Sequence, residues 1–384
     1  MGHHQDRRIE VLVFALVAAA FTTIYITQPV LPVLQTEFEI SANTASLSVS
    51  AVILGIAISN LPFGMAADRY SIRPLIVAGG TVVGAASVVC ALTPNIAVLI
   101  GARFVQGLFI PSLTTCLAAY LARILPPARL NVAMGSYVAA TVAGGLGGRL
   151  LGGWIHPPLH WRYAFVSAAA FLAIATVAAA RWLERGPARA APVAAHGGFL
   201  ELLRRPDVLR MCAVAFGSFF VFSSAFNFLP FYLSEPPLQA STEVITLMYL
   251  AYVVGIFMGP LAGRLANRMG GGATMALGAM ILALSIAVTL IRSLPVIALG
   301  LAGICAGFFA IHAAAVGLLN SRLTAARGRA NSLYVLFYYL GGATGITLSG
   351  YAYSRGGWSG VAILVSGVLL LPLVIGLRER QQAQ

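Results

Sequence analysis

Long apolar stretches alternate with short polar segments along the whole chain. A helix needs about 20 apolar residues to cross the hydrocarbon core of a bilayer. The pattern predicts an all-α membrane protein with about twelve transmembrane helices, and an even number of spans places both termini on one side. The stretches lie at 11–34, 45–67, 74–93, 96–122, 131–154, 163–183, 208–233, 243–266, 272–292, 295–320, 328–352 and 358–377.

Charged residues are rare in this chain, which distinguishes it from soluble proteins. Of its 384 residues, 59% are hydrophobic and 9% are charged. A soluble globular domain carries about 25% charged residues. The composition therefore agrees with a multi-pass membrane protein, whose length is not to be divided into soluble domains.

Arginine supplies every basic side chain, and its distribution predicts the orientation of the spans. The net charge is +13, and the sequence contains no lysine. Arginines precede the first span and follow every second one, whereas the alternate loops hold only Arg162, Arg292 and Arg355. Arginine-rich loops stay in the cytoplasm, so both termini are predicted to be cytoplasmic. This preference of arginine for cytoplasmic loops also explains the positive net charge, so the charge does not indicate nucleic acid as a partner.

A polar segment at 184–206 interrupts the apolar pattern near the middle of the chain. Its alanine, proline and glycine residues are typical of a tether, and 199–205 within it predict a short surface helix. We therefore predict an N-terminal six-helix bundle at 1–183, a cytoplasmic linker at 184–206 and a C-terminal six-helix bundle at 207–384.

A short charged loop at 64–73 joins the second and third spans. It begins with Gly64, which is small enough to let a neighbouring helix approach closely. Asp68 is suited to accept hydrogen bonds from N–H groups at a helix start. Arg69 and Arg73 are expected to hold the loop on the cytoplasmic side.

A degenerate copy of this loop follows the eighth span, with Gly263, Asn267 and Arg268. The first loop resembles the Gly-x-x-x-Asp-Arg-x-x-x-Arg signature of the major facilitator superfamily, although Ser71 stands where that family usually has glycine. The resemblance implies the major facilitator fold, a small-molecule substrate and two six-helix bundles that open alternately to each face. It further implies that Asp68 latches the inner gate.

Two more stretches, 25–32 and 144–149, resemble the bacterial inner-membrane branch of drug and sugar exporters. This second resemblance implies a multi-pass protein of the bacterial inner (plasma) membrane. From both resemblances we expect a monomer in the lipid bilayer that uses protons and needs no cofactor.

The fourth span contains Arg103 and Gln106, which share one helix face because they are three residues apart. An arginine inside a membrane helix costs about 2.5–3.5 kcal/mol, so it is expected to face a cavity, a counter-charge or a backbone acceptor. A similar Arg-x-x-Gln-Gly in the superfamily is linked to proton coupling. The alternative is an arginine that snorkels to the outer interface.

Glycines crowd the fifth span at Gly144, Gly145, Gly147 and Gly148, and Arg149 follows them. Such glycines allow another membrane helix to pack closely. Antiporters of the superfamily carry a glycine-rich motif here that includes a Gly-Pro pair, and the missing proline weakens an antiporter assignment. Arg149 is a second candidate for a buried charge, and its role stays open.

No aspartate or glutamate falls in the middle of a predicted span, although proton coupling needs a group that loads and releases a proton. His312 in the tenth span is the central candidate, because an unperturbed histidine titrates near neutral pH. Glu37, with Glu39, lies at the outer mouth of the first span as a further candidate. The alternatives for His312 are a substrate contact and a neutral, hydrogen-bonded ring.

Polar and aromatic residues at mid-span are candidates for substrate binding. A mostly apolar cavity with few polar anchors suits an amphipathic organic ligand. The alternative is that these side chains pack between helices or form interfacial belts. The predicted set is Tyr25, Gln28, Arg103, Gln106, Tyr137, Arg149, Phe226, Asn227, Tyr252, His312 and Tyr338.

Two transport functions are compatible with these features. The first is proton-coupled efflux of a small organic or amphipathic compound. The second is uptake or exchange of a small organic anion, with Arg103 and Arg149 as its partners. A channel or a non-transporting receptor is a third possibility, although a repeated gate loop argues against a fixed pore. An enzyme is not predicted, because no Walker loop, nucleophile motif or metal-binding pattern is found.

Overall fold

The computed structural model describes residues 2–125, 127–183, 198–323 and 327–382, and every regular element in these ranges is helical. Gly356 and Gly357 leave helical geometry and divide the last helix into arms at 327–355 and 358–381. The helices are α1 Gly2–Tyr25, α2 Leu31–Glu37, α3 Ala42–Arg69, α4 Ile72–Leu92, α5 Ile96–Leu113, α6 Thr115–Ile124, α7 Pro127–Ile155, α8 Trp161–Trp182, α9 Phe199–Arg204, α10 Pro206–Ser234, α11 Thr242–Met248, α12 Val253–Met269, α13 Gly271–Val288, α14 Leu294–Ser321 and α15 Arg327–Gln381.

Within the described ranges, ten helical spans are long and apolar enough to cross a membrane, judged by length and composition. One of them covers both arms of α15, and α7 adds a further helix of 29 residues. Each of the twelve predicted spans coincides with helical structure, so the prediction of an all-α membrane protein is confirmed. The cytoplasmic placement of the termini stays a prediction.

Three of the predicted spans are interrupted in the structure. The first breaks after Tyr25, because Pro29 has no N–H to donate to the carbonyl four residues before it. The fourth changes from α5 to α6 at Thr114, and the eighth passes from α11 to α12 through a 3₁₀ turn at Tyr249–Tyr252. The apolar pattern does not predict these breaks, since each span stays apolar through its break.

The chain forms two compact units. The first unit contains residues 1–30 and 51–193, and the second contains residues 31–50 and 194–384. The helix expected at 199–205 is confirmed by α9, whereas 184–197 of the predicted linker lie outside the described residues. The predicted domain boundaries at 183 and 207 stay a prediction.

A row of glycines lets α7 lie directly against α1 in the first unit. The glycines recur every four residues, and so do the residues whose backbone they face, two on α1 and one just past its end. A Cβ at any of these glycines would overlap the carbonyl opposite, so the predicted close packing is confirmed. The facing pairs are Gly144 with Ala18, Gly148 with Thr22 and Gly152 with Ile26.

The second unit repeats this contact between α10 and α15. Gly341 faces the backbone of Phe216, and Gly345 faces that of Phe220, again four residues apart on each helix. Ser223 reinforces the contact because its hydroxyl donates to a carbonyl of α15 at 3.1 Å. We call the two contacts, α1 with α7 and α10 with α15, the glycine seams.

Candidate functional site

Arg103 on α5 is completely buried and reaches the broken end of α1. Its Nη1 donates to the carbonyl of Thr23 at 2.6 Å, and its Nη2 donates to the carbonyl of Ile24. These carbonyls belong to the last turn of α1, where a helix has no internal donors. Arg103 therefore supplies donors that are missing at the break before Pro29, and the snorkelling alternative is wrong.

Gln106 links Arg103 to a further helix. Its Oε1 accepts from Nη1 of Arg103 at 2.7 Å, and its Nε2 donates to Ser87 Oγ on α4 at 2.8 Å. The guanidinium of Arg103 also lies 5.6 Å from the ring centroid of Phe165 on α8. Helices α1, α4, α5 and α8 thus meet around one buried cation. The coupling role predicted for Arg103 and Gln106 stays a prediction.

Arg149 on α7 contacts the same broken segment and is 1% exposed. Its Nε donates to Gln28 Oε1 at 2.7 Å, and its Nη1 donates to the carbonyl of Gly145 at 2.7 Å. Its guanidinium carbon lies 3.9 Å from the ring centroid of Tyr25, which is a cation–π contact. These three neutral groups fix the orientation of the guanidinium. The structure thus brings together the predicted residues Tyr25, Gln28 and Arg149.

The buried charges of the described residues are unevenly distributed. Three charged side chains are buried, namely Arg103, Arg149 and Glu379. Both arginines lie within spans of the first unit, whereas Glu379 lies at the end of α15. Charges interact more strongly where the dielectric constant is low. The interior of the first unit therefore favours negatively charged groups.

The second unit instead contains a group of stacked rings, the aromatic cluster. Phe219 and Tyr338 stack at 3.7 Å between centroids, with ring planes 10° apart. Phe222 and Phe308 stack at 4.0 Å and 20°. The cluster joins α10, α14 and α15. Sequence spacing alone did not reveal it, because its rings come from helices that are far apart in the chain. Its members are Phe219, Phe222, Phe226, Phe308 and Tyr338, and Tyr252 lies 4.6 Å from Phe226.

His312 lies beside the aromatic cluster on α14. Its Nδ1 is 3.0 Å from the hydroxyl of Tyr334, so one of the two groups donates to the other. Its ring lies 5.4 Å from that of Tyr338 and 6.0 Å from that of Phe308. The hydrogen-bonded ring expected as one alternative is present, and a proton-carrying role for His312 stays a prediction.

The remaining predicted residues are dispersed. Asn227 on α10 is fully buried, and neither atom of its side-chain amide has a hydrogen-bond partner among the described residues. Tyr137 is half-buried on α7, and Glu37 is exposed at the end of α2. Asn227 is thus the residue of this group whose surroundings suit a ligand, because a buried amide without partners is costly.

The segment predicted as a loop at 64–73 is mostly helical, because α3 continues through Met65, Ala66 and Ala67 to Arg69 and α4 begins at Ile72. The segment ties helices together within the first unit. Asp68 is 3.6 Å from Nη2 of Arg123 on α6, and Arg123 also donates to the carbonyl of Ala67. Arg73 donates to the carbonyl of Ala180 on α8. An added Cβ at Gly64 would meet its nearest neighbour at 3.9 Å, so the close approach predicted there is wrong. Arg69 is exposed.

Gly263, Asn267 and Arg268, predicted to form a second loop, are instead exposed on the last turns of α12, which continues to Met269. A buried carboxylate, Glu379, binds arginines in the second unit. The side chain of Glu379 is 0% exposed and connects α15 to α10 and to the end of α14. Its Oε1 accepts from Arg210 Nε at 2.6 Å, and its Oε2 accepts from Arg322. The cluster of Glu379 with Arg210 and Arg322 was missed in the sequence analysis. A usable signal was the single acid between Arg378 and Arg380 at the end of the last apolar stretch.

The chain is similar in sequence to known membrane transporters over most of its length. The family model described as the Major Facilitator Superfamily matches residues 13–316 and 237–383. The Inner membrane transport protein YnfM of Escherichia coli (strain K12) is 28% identical over 98% of this chain and 91% of its own length. The Uncharacterized MFS-type transporter YybF of Bacillus subtilis (strain 168) is 28% identical over 94% and 91%.

Solved structures resemble the chain in fold. A bacterial homolog of the human lysosomal transporter Spinster, inward-facing and occupied, has a TM-score of 0.79 at 16% identity over 100% of this chain and 97% of its own. The human organic anion transporter MFSD10 has a TM-score of 0.71 at 19% identity over 96% and 99%. At these identities the likeness concerns the fold alone.

Proposed function

The chain belongs to the major facilitator superfamily, and we propose that it carries a small organic anion with an apolar or aromatic body across the bacterial inner membrane by alternating access. The family predicted from the 64–73 loop is thereby confirmed, and so is a multi-pass transporter of small molecules. The relatives are named transporters rather than enzymes, as expected.

The orientation of Arg149 is the observation that carries this proposal. Gln28, Gly145 and Tyr25 hold its guanidinium in one position inside the first unit. A guanidinium binds a carboxylate or sulfonate through paired, charge-assisted hydrogen bonds. Arg103 is less suited to this task, because its donors are directed at the carbonyls of α1 and at Gln106.

The buried charges favour an anion over a cation. A carboxylate inside a membrane span is the group that stabilises a lipophilic cation there. In the described residues, the spans bury two arginines, and Glu379 at the end of α15 is engaged by Arg210 and Arg322. This charge pattern supports the second of the two functions left open by the sequence.

Proton coupling and outward transport are a further part of the proposal. His312 and Tyr334 form a hydrogen-bonded pair in the second unit, and such a pair is able to exchange a proton. We propose that this pair links transport to the proton gradient and that the cycle exports the substrate. Asp68 then acts as a latch, so Asp68→Asn is expected to slow cycling more than it weakens substrate binding.

Transport in proteoliposomes tests the anion proposal. We expect labelled benzenesulfonate to be taken up and phenyltrimethylammonium, its cationic counterpart, to be excluded. Arg149→Gln is expected to lower benzenesulfonate uptake at least tenfold, because about 1.4 kcal/mol of binding free energy corresponds to that factor. Arg181→Gln, at an exposed arginine of α8, is the matched control and should leave uptake unchanged. Cation uptake equal to anion uptake would refute the proposal.

A trapped pH dye in the same vesicles tests proton coupling. We expect the addition of benzenesulfonate to change internal pH, and His312→Ala to abolish that change while uptake down a concentration gradient persists. Tyr334→Phe, which removes only the hydroxyl that contacts His312, should reduce the change. A pH response that is the same in His312→Ala would exclude histidine as the proton carrier.

A further inference from the structure

A cavity of about 130 Å³ lies in the second unit, away from the aromatic cluster. It forms where α10 ends, where α13 connects to α14 and where α15 bends, and its lining includes Tyr232, Glu235, Arg292, Gly357 and Trp358. We propose that this cavity binds a small zwitterion, a solute with one ammonium and one carboxylate or sulfonate group. The proposal does not depend on the transport function.

One wall of the cavity is built from two stacked rings. The rings of Tyr232 and Trp358 lie 5.0 Å apart with planes 9° from parallel. Both are anchored on fully buried Thr289, since the Tyr232 hydroxyl donates to its carbonyl and Trp358 Nε1 donates to its Oγ1, each at 3.0 Å. The hydroxyl of Tyr232 and Nε1 of Trp358 therefore hold the two rings in place, and a ligand in the cavity would contact their aromatic surface.

The bend in α15 completes the wall. Gly357 has a φ of +53°, a conformation that residues with a Cβ rarely adopt. The bend brings Trp358, the first residue of the second arm, beside the end of α10. The cavity thus follows from a sequence feature, two adjacent glycines inside an otherwise continuous helix.

The opposite charges on the rim define the ligand. Glu235 and Arg292 are both exposed and both line the cavity, and no ion pair joins them in the part of the chain that the structure describes. Tyr353 donates to Glu235 Oε1 at 2.9 Å, which orients the carboxylate and leaves Oε2 for another donor. One carboxylate and one guanidinium at a single cavity match the two ends of a zwitterion.

The volume limits the size of that zwitterion. A cavity of about 130 Å³ has room for a few waters or for a similarly compact solute. A ligand of a few non-hydrogen atoms can place an ammonium near Glu235 and the aromatic wall, where cation–π attraction adds to the charge. Its anionic end then meets Arg292, one of the three arginines in the alternate loops.

Equilibrium dialysis of the full chain in nanodiscs against labelled β-alanine tests the proposal. We expect saturable binding, with propylamine and propionate competing only at concentrations at least tenfold higher. Glu235→Gln and Arg292→Gln should each weaken binding at least fivefold. Arg355→Gln, at an exposed arginine that does not line the cavity, should change affinity less than twofold. Unchanged melting temperatures establish that the variants are folded.

The same experiment separates this cavity from the transport site. Arg149→Gln should leave β-alanine binding unchanged, because Arg149 belongs to the first unit. Trp358→Phe, which removes the indole donor, should weaken binding and is an independent check on the wall. The proposal is overturned if β-alanine does not bind saturably, if the two charge substitutions have no effect, or if propionate competes as well as unlabelled β-alanine.

Discussion

The two units use the same glycine seam but differ in the side chains beside it. Gly148 in the first unit corresponds to Gly345 in the second by its place in the seam, and Thr22 corresponds to Phe220. On this register Arg149 corresponds to Ile346, and Gln28 corresponds to Phe226. A cation and its amide partner in one unit are thus replaced by apolar side chains in the other.

This difference shows how two units with the same helix contact carry different chemistry. The seams hold the helices through backbone contact, and this leaves neighbouring positions available for specificity. The first unit has the buried Arg149 at such a position, and the second unit has stacked rings beside its seam.

The ends of the helices show a second difference. In the first unit Asp68, with 60% of its side chain exposed, lies 3.6 Å from Arg123. In the second unit the equivalent segment carries Asn267, and buried Glu379 joins Arg210 and Arg322 instead. The ion pairs of Glu379 are therefore less screened by water than the pair of Asp68 and Arg123.

Arg103→Leu is expected to have the largest effect on stability. It leaves the carbonyls of Thr23 and Ile24 and the amide of Gln106 without their donor, and each such group costs about 1–3 kcal/mol when buried. We expect a loss of about 3 kcal/mol or more, measured as thermal unfolding in nanodiscs. Arg69→Leu, at an exposed arginine, is the control. If both variants lose the same unfolding free energy, the buried contacts of Arg103 do not stabilise the fold.

Gly148→Ala and Gly345→Ala test whether the two seams are equivalent. Each added Cβ would meet a backbone carbonyl of the facing helix, and overpacking of this kind costs about 1–3 kcal/mol. The loss should be similar in the two units. Gly135→Ala and Gly317→Ala, which have open space around the added Cβ, should be neutral or slightly stabilising. Losses confined to one unit would contradict the equivalence.

Glu379→Gln and Asp68→Asn compare the two carboxylates and have the smallest expected effects. Glu379→Gln weakens contacts with two arginines in a buried position and should cost about 1–2 kcal/mol. Asp68→Asn affects an exposed pair, so we expect less than about 1 kcal/mol of unfolding free energy. Thermal unfolding of both variants measures the difference, and a larger loss from Asp68→Asn would reverse the comparison.

Features set by local spacing were predictable from the sequence, and features set by distant contacts were not. The apolar runs predicted every span, and the glycines around Gly148 predicted a close helix contact. The sequence also indicated Arg103 and Arg149 as buried charges. It did not reveal that Arg103 binds carbonyls of a helix 80 residues away. The pair formed by Glu379 and Arg210, 169 residues apart, was likewise invisible, because tertiary packing brings these residues together.

Equilibrium binding of benzenesulfonate to the purified chain tests the central claim most directly. The account predicts saturable binding that phenyltrimethylammonium does not inhibit. It further predicts that Arg149→Gln weakens this binding at least tenfold, whereas Ile346→Leu at the corresponding position of the second unit leaves it unchanged. If Arg149→Gln binds benzenesulfonate as tightly as the parent protein, the buried guanidinium of the first unit is not the anion-binding group.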